Sequence, residues 1–335
     1  MNAWKRHFLR ELRRILTDKR IAATMLVGPF LYGFLFGGVY SAGRIRHVPI
    51  VIVDQDHSAL SRDLAGALTV ILDGSNILIG NMTSRTIAGT ISAYRVGARA
   101  RRLMASGVSR AQAMPAALPI QPVIRPLYNP ASHYGFFILV GLVCVALQQV
   151  TRMGTAIALN LEAEAGNRGT LPGVGGTPGA ILMAKAAATA VIVLPLAFIA
   201  IRLPFDLFGG PFRGSWAAAY ALLTVFMVMQ ILIGYGIAGL CRSGIVSLHL
   251  LLYASVPLFT LTGFTWPAYA MPSWLQAVSW VIPLTHFVEI MRRMALTNVG
   301  FGTLWPHVAV LLAWVPAAAL WAYWAVKKWL KRVGV

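Results

Sequence analysis

The chain contains 335 residues, of which 58% are hydrophobic and only 12% are charged, and its mean hydropathy is +0.69. Soluble domains carry about a quarter charged residues, so this composition excludes an ordinary soluble protein and indicates an integral membrane protein. The formal net charge is +19, but the basic residues form no recognisable nucleic-acid module, and nucleic acid is not an expected partner. The two cysteines, Cys144 and Cys241, are expected to be packing residues without a disulfide.

Residues 1–20 are predicted to form an amphipathic helix that lies in the plane of the membrane interface. Its apolar face carries Trp4, Phe8, Leu9, Leu12, Ile15 and Leu16, and its other face carries Lys5, Arg6, Arg10, Arg13 and Arg14. Such a helix is attracted to anionic headgroups, so membrane lipid is an expected partner. The apolar run that follows has no small-residue cleavage site, which predicts a retained membrane helix and not a secretory signal.

Six apolar segments are each long enough to cross about 30 Å of hydrocarbon. They comprise residues 21–42, 135–158, 180–203, 216–240, 245–264 and 303–326. Basic residues cluster before the first segment and after the last, and an even number of crossings places both clusters on one side. Because basic residues are enriched on the cytoplasmic side, both termini are predicted to be cytoplasmic.

Residues 43–134 are then predicted to form a small extracytoplasmic α+β domain. Apolar runs at 48–58 and 68–76 indicate strands, whereas 58–68 and 77–106 have helical spacing. The domain holds ten arginines and four aspartates. A cationic domain outside the membrane is compatible with this topology, because long external segments escape the positive-inside rule.

The stretch before the last span is nearly as apolar as a membrane helix, yet prolines interrupt it. Pro267, Pro272 and Pro283 each remove a backbone donor and disfavour a continuous helix. Irregular backbone at membrane depth requires cover from protein or from a water-filled cavity. Residues 265–294 are therefore predicted to form a re-entrant hairpin on the outer face of the membrane.

The sequence contains no constellation that predicts an enzyme, and no catalytic residue is assigned. The Gly-rich segment 171–179 lacks the Gly-Lys-Ser/Thr ending of a phosphate-binding loop. No acidic residue falls in the middle of a predicted span, which disfavours an ion-coupled carrier. His286 and Glu289 would be two metal ligands without a third, so no metal site is predicted, and they are expected to cap hairpin backbone or to face the interface.

The order of these elements resembles the membrane subunit, or permease, of an ABC-2 type exporter with a large external domain between its first two spans. The resemblance extends over nearly the whole chain. It is carried by VPIVIVDQDHSALSRDLAGAL after the first span, DGSN at 73–76, Glu162-x-Glu164 with Gly169-Thr170, Pro178 with Lys185, and above all GFTWPAYAMPSWLQAVSWVIPLTHFVEIMRR.

The resemblance implies that two such permeases, identical or related, pair in the bacterial inner membrane. Each would sit on a cytoplasmic ABC ATPase subunit that binds ATP and Mg²⁺, so that this chain needs no cofactor of its own. Residues 1–20 would correspond to the connecting helix. The loop 160–179 would be the coupling element that enters the ATPase, and its residues are Glu162, Glu164, Gly169 and Thr170. Whether a periplasmic adaptor docks on the external domain is left open.

The external domain favours amphiphilic small molecules or drugs as the exported substrate. The outer part of the route would be lined by Phe136, Phe137, Phe259, Phe264 and Trp266, with Pro267 and Pro272 in an external gate. The chain departs from the family pattern in two places, because Gly and Pro at 171–176 disfavour a coupling helix and the external domain is abridged near 68–76. A polysaccharide or lipid exporter, a non-transporting membrane assembly or anchoring protein, and a membrane enzyme are the alternatives.

Overall fold

The computed structural model describes residues 3–31, 34, 51–54, 68–71, 89, 92–93, 96–117, 134–164, 176–208, 212–241, 243–265, 268, 271–297 and 300–333. The chain divides into two compact units. One comprises Met1–Gly43 with Ala131–Val335, and the other comprises Arg44–Pro130.

The larger unit begins with helix α1 (Ala3–Thr17) and the short helix α2 (Lys19–Ala22). Asp18 separates them, and its carboxylate accepts hydrogen bonds from the backbone N–H groups of α2, at 2.9 Å from Arg20 N. This is the usual role of an aspartate at a helix N-cap. Helix α2 continues into a π-helical turn, Ala23–Val27. The predicted span 21–42 starts here, and most of its second half lies outside the described residues.

The smaller unit contains two antiparallel strands, β1 (Val51–Asp54) and β2 (Leu68–Ile71), with Val51 opposite Ile71. Residues 96–105 are helical, and helix α3 (Arg110–Ala117) follows. Strands are thus present inside both segments predicted to form them, and a helix lies inside 77–106. The predicted helix 58–68 lies outside the described residues, except for Leu68, which begins β2.

Seven further helices are described after the smaller unit. They are α4 (Tyr134–Glu164), α5 (Pro178–Phe208), α6 (Trp216–Leu240), α7 (Gly244–Leu261), α8 (Ser273–Val281), α9 (Pro283–Leu296) and α10 (Phe301–Val333). Five of the described helices, namely α4, α5, α6, α7 and α10, contain apolar stretches long enough to cross a membrane. Ser215 and Ser243 cap α6 and α7 at their N-termini. The chain is therefore an α-helical, multi-pass membrane protein.

Helices α4 and α6 form the interior of the larger unit. Their apolar stretches are 78% and 72% buried, whereas that of α7 is only 11% buried. Helix α6 packs against α4 and α10, and glycines on α6 permit close approach. A Cβ atom at Gly234 would lie 3.1 Å from Arg152 Cα, and one at Gly239 would lie 2.8 Å from the carbonyl oxygen of Ala325.

The segment 271–297 is divided into α8 and α9, as its prolines lead one to expect. Pro272 precedes α8 as its N-cap, and Pro283 is the first residue of α9. Between the helices, Ile282 has an extended backbone conformation. Proline is well placed at the first position of a helix, because its missing N–H would have no partner there. The ring of Phe287 on α9 stacks on that of Phe226 on α6, with 4.0 Å between centroids, and so fixes the hairpin to the core.

Candidate functional site

Glu162, near the end of α4, lies in a buried cluster of charged side chains. Its Oε2 atom accepts a hydrogen bond from Lys185 Nζ of α5 at 2.5 Å. Arg10 Nη2 of α1 donates to its Oε1 atom, and Arg14 Nη1 lies 3.5 Å from Oε2. The Glu162 side chain is 1% exposed. Three helices are therefore joined through one carboxylate.

A second carboxylate, that of Glu11, extends this cluster to a fourth helix. Lys185 Nζ donates to Glu11 Oε2 at 2.6 Å. The hydroxyl of Tyr235 on α6 donates to Glu11 Oε1 at 3.1 Å, and it also lies 2.8 Å from the hydroxyl of Thr189. We call Arg10, Glu11, Arg14, Glu162, Lys185, Thr189 and Tyr235 the ionic junction.

In the ionic junction, buried charges of opposite sign compensate one another. It contains three cations and two carboxylates, and both Lys185 and Glu162 are almost fully buried. A buried charge is tolerated when it is paired and hydrogen-bonded, and removing one partner leaves the other uncompensated. The junction therefore holds the four helices in contact, because separating them would leave a buried charge without its partner.

The structure places the predicted coupling residues in different surroundings. Helix α4 continues through Glu164, and α5 begins at Pro178, so both ends of the predicted loop 160–179 are helical. Glu162, expected to face the ATPase from a loop, is instead enclosed by α1 and α5. Glu164 belongs to the helical backbone, and its side chain lies outside the described part. Gly169 and Thr170 lie outside the described residues altogether.

At the break between α8 and α9, side chains of α9 and α10 donate to backbone carbonyls that the end of α8 leaves without a helical partner. Trp314 Nε1 of α10 donates to the carbonyl of Val281 at 3.0 Å. His286 Nε2 of α9 donates to the carbonyl of Trp280 at 2.7 Å. Unpaired carbonyls at membrane depth would be costly, so these two bonds stabilise the bend. The expectation that His286 caps hairpin backbone is confirmed.

A second histidine, His307 on α10, completes the surroundings of His286. The two Nδ1 atoms are 3.0 Å apart. Because the Nε2 atom of His286 carries the proton donated to Trp280, a neutral His286 has a free lone pair on Nδ1, and His307 must donate to it. Burial lowers the pKa of His286 from its ordinary value of 6.5, although the bond to Trp280 acts in the opposite direction.

Glu289 lies one turn after His286 and is paired with arginines of its own helix. Arg292 Nη2 and Arg293 Nε each donate to its carboxylate at 2.6 Å. Burial would raise the pKa of Glu289, but the two guanidinium groups outweigh burial and hold this pKa below its ordinary value. Glu289 therefore remains ionised and paired with Arg292 and Arg293 near neutral pH.

Of the predicted gate residues, Phe264 lines a cavity beside the hairpin. Phe264, His286 and Glu289 are among the residues that line a cavity of about 600 Å³ between the end of α7 and the hairpin. The ring of Phe259 lies 6.0 Å from that of Phe264, and Pro272 lies at the start of α8.

The remaining gate predictions concern residues that the structure does not describe in full. Phe136 and Phe137 belong to the helical backbone of α4, but their side chains lie outside the described part. Trp266 and Pro267 lie outside the described residues. Within the described ranges, no group of three or more His, Cys, Asp and Glu residues is arranged to hold a metal ion.

Sequence reasoning missed several polar residues that are buried or half-buried between helices. Lys185 was noted only as part of a motif, and Arg152, Gln230, His307 and Trp314 were not singled out. The signal was present for the two cations, because Lys185 and Arg152 each interrupt an apolar segment. An ionisable side chain within such a segment indicates a buried partner or a site.

Comparison with known proteins agrees with this architecture. Residues 65–324 match the sequence model of a protein family described as ABC-2 family transporter protein. The probable multidrug ABC transporter permease YbhR of Escherichia coli K12 is 25% identical over 57% of this chain and 52% of its own length. The probable multidrug ABC transporter permease YbhS of that strain is 22% identical over 77% of this chain and 66% of its own length.

The inner membrane transport permease YhhJ of Escherichia coli K12 is 24% identical and is matched over 91% of both chains. The chain therefore spans about half the length of YbhR, just under two thirds of YbhS and most of YhhJ. The family match covers the smaller unit from β2 onward together with α4 to α9 and most of α10. The chain, with its apolar helices and broken hairpin, belongs to the ABC-2 family of transporter proteins.

Proposed function

We propose that this chain is the permease subunit of an ATP-driven exporter in the bacterial inner membrane, and that it moves amphiphilic small molecules or drugs outward. ATP and Mg²⁺ would be bound by a separate cytoplasmic ABC ATPase subunit. Membership of the ABC-2 family supports the ATPase partner. The names of YbhR and YbhS, probable multidrug ABC transporter permeases, support the substrate class.

The observation that carries this proposal is the ionic junction. It connects α1 to the ends of α4 and α5 on either side of the segment 165–177, which is the expected contact with the ATPase. Because Lys185 bonds to Glu11 and to Glu162 at once, a displacement of α1 or of this segment is transmitted to both spanning helices. Packed helices move as rigid elements between discrete arrangements, which suits a lever driven by ATPase closure.

In this role the chain crosses the membrane six times and has both termini in the cytoplasm. The segment 21–42 is the additional span, and residues 43–134 form the extracytoplasmic α+β domain. Helix α1 buries His7, Glu11 and Ile15 against the protein, while Trp4 and Leu16 remain 38% and 55% exposed. Exposed apolar residues beside basic ones suit a helix that lies on the inner headgroups.

A second permease is proposed to pack on α7. This helix is almost unburied along its length, and its residues Tyr253 and Val256 are 73% and 71% exposed. Lipid or a partner helix would cover this face, and the pairing of two permeases in a transporter requires one such surface. Between the two subunits, the hairpin α8–α9 would serve as the external gate.

The experiment that tests the proposal is co-purification followed by an ATPase assay. The full chain is expressed with the ABC ATPase subunits of its own genome, purified and reconstituted in lipid. We expect an ATPase to be recruited and its hydrolysis to be stimulated by amphiphilic compounds. Failure to recruit any ATPase would overturn the transporter assignment and would favour the membrane assembly or anchoring role.

A further inference from the structure

A second cavity, of about 290 Å³, contains an arginine at the middle of the membrane segment. It is lined by Gln148, Arg152, Ile233, Leu258, Val278, Val281, Ile282, Pro283, Trp314 and Trp321. We call it the Arg152 cavity. Arg152 lies near the centre of the apolar stretch Leu139–Glu162 of α4, and its position is therefore the most demanding that a cation can occupy in a spanning helix.

Arg152 has only amide support from the protein around it. Its Nε atom donates to Gln230 Oε1 of α6 at 2.6 Å, and the described residues provide no carboxylate that pairs with it. This distinguishes Arg152 from Lys185, which contacts two carboxylates. A buried guanidinium ordinarily acquires an anionic partner, because its N–H groups form their strongest bonds with carboxylate or phosphate oxygens.

Gln148, which also lines the cavity, has a polar atom that lacks a partner among the described residues. Gln148 lies one turn before Arg152 on α4 and is 2% exposed. Its Oε1 atom is buried and has no hydrogen-bond partner among the described residues. Buried polar atoms are nearly always paired in folded proteins. An anion cannot donate to this oxygen, but if the amide is turned by 180° its NH₂ group donates to an anion held by Arg152.

The rest of the lining is apolar and aromatic. It includes Trp314 and Trp321 of α10 and Leu258 of α7. Ligand sites are commonly apolar cavities with a few convergent polar groups that fix orientation. Val281 and Pro283 of the hairpin also line the cavity, and Trp314 both lines it and donates to the Val281 carbonyl.

We propose that the Arg152 cavity binds an amphiphilic anion, with a carboxylate, sulfonate or phosphate on Arg152 and an apolar or aromatic body against the tryptophans. That the bound anion is the exported substrate rests on the proposed function, whereas its binding at Arg152 does not. The same chemistry is offered by a free amphiphile and by an anionic lipid headgroup with its acyl chain, and the test separates them.

The test uses two fluorescent probes of similar shape. 1-Anilinonaphthalene-8-sulfonate carries a sulfonate, and N-phenyl-1-naphthylamine is its uncharged counterpart. Binding to the full chain is titrated in phosphatidylcholine nanodiscs without any ATPase. We expect Arg152→Gln to weaken binding of the sulfonate at least about tenfold, because a charged hydrogen bond is lost, and to leave the neutral probe within twofold. Arg152→Lys should retain part of the preference.

Two further variants separate a binding role from a structural one. Arg202→Gln removes an exposed arginine outside the cavity and should leave both affinities unchanged. Leu258→Trp keeps Arg152 but fills the cavity, and it should weaken both probes. Unchanged sulfonate affinity in Arg152→Gln, or an equal loss for both probes, would overturn the proposal.

Adding phosphatidylglycerol to the nanodiscs identifies the source of the anion. Competition with the sulfonate in the wild-type chain supports a lipid headgroup, and absence of competition supports a free amphiphile. Because no ATPase takes part, probe binding that depends on Arg152 can persist even if ATPase recruitment fails, and recruitment can succeed even if the probe does not bind. The two proposals therefore fail separately.

Discussion

The Nζ atom of Lys185 lies 2.5 Å from Oε2 of Glu162, and this contact joins α5 to α4 where the two helices approach the segment between them. Lys185 also donates to Glu11 of α1. Lys185 therefore connects three helices, α1, α4 and α5, and is not part of an isolated surface pair. The stability of this part of the protein should depend on it.

Replacing Lys185 with methionine should strongly destabilise the protein. The change leaves two buried carboxylates without their shared cation, and breaking a buried pair in this way typically costs about 3–5 kcal/mol. Thermal unfolding of the purified chain in detergent measures the loss. Asp206→Asn is the control, because the Arg202–Asp206 pair is about half exposed and should be worth no more than about 1 kcal/mol. Equal midpoints for the two variants would contradict the expectation.

The hydrogen bond from Trp314 to the Val281 carbonyl should stabilise the bend between α8 and α9. Trp314→Phe keeps an aromatic ring but removes the donor, so the carbonyl at the end of α8 loses its partner. We expect faster hydrogen–deuterium exchange across residues 278–284 and little change elsewhere. Trp324→Phe is a matched control on α10, because Trp324 is 47% exposed. Identical exchange in the two variants would show that Trp314 does not fasten the bend.

The hairpin should loosen as the pH falls. Burial lowers the folded-state pKa of His286 below its usual 6.5, so the unfolded or open state takes up the proton first. The stability that neutral His286 contributes is present above about pH 6.5 and is lost as the pH falls from there toward the lower folded-state value. A protonated His286 would also confront the Nδ1–H of His307, with the cations Arg292 and Arg293 and the carboxylate of Glu289 nearby.

Hydrogen–deuterium exchange of residues 280–290 at pH 7.5, 6.5 and 5.5, corrected for intrinsic rates, measures this effect. Protection should decrease as the pH falls in the wild-type chain, and it should decrease less in His286→Gln, where the neighbouring His307 can still titrate. His249→Gln, on the exposed face of α7, should behave as the wild type does. A pH-dependent loss of the same size in His286→Gln would assign the effect to another group.

Gly239 should be required for the contact between α6 and α10. A methyl group there would lie 2.8 Å from the Ala325 carbonyl oxygen, so the two backbones would have to separate. Overpacking of this kind typically costs about 1–3 kcal/mol. Gly302→Ala is the control, since nothing lies within 4 Å of the added atom and alanine favours a helix. Unfolding midpoints in detergent should fall only for Gly239→Ala.

The elements that were predictable are those with long apolar runs or proline breaks. The span 216–240 coincides with α6, and Pro283 marks the start of α9. The helical extent of α4 was underestimated, because Glu162 and Glu164 give the sequence a loop-like polarity. For Glu162, the cations of α1 and α5 explain why a carboxylate lies in a buried helix. A pairing between residues 174 positions apart, such as Glu11 with Lys185, leaves no local pattern in the sequence.

The ionic junction should transmit ATPase closure through α4 and α5 to the external hairpin. The most direct measurement is hydrogen–deuterium exchange of residues 278–290 in the reconstituted complex, with and without vanadate-trapped nucleotide. Trapping should alter exchange in the wild type and in Asp206→Asn, but not in Glu162→Gln, although the Glu162→Gln permease still binds the ATPase. A full hairpin response in Glu162→Gln, or none in the wild type, would contradict the claim.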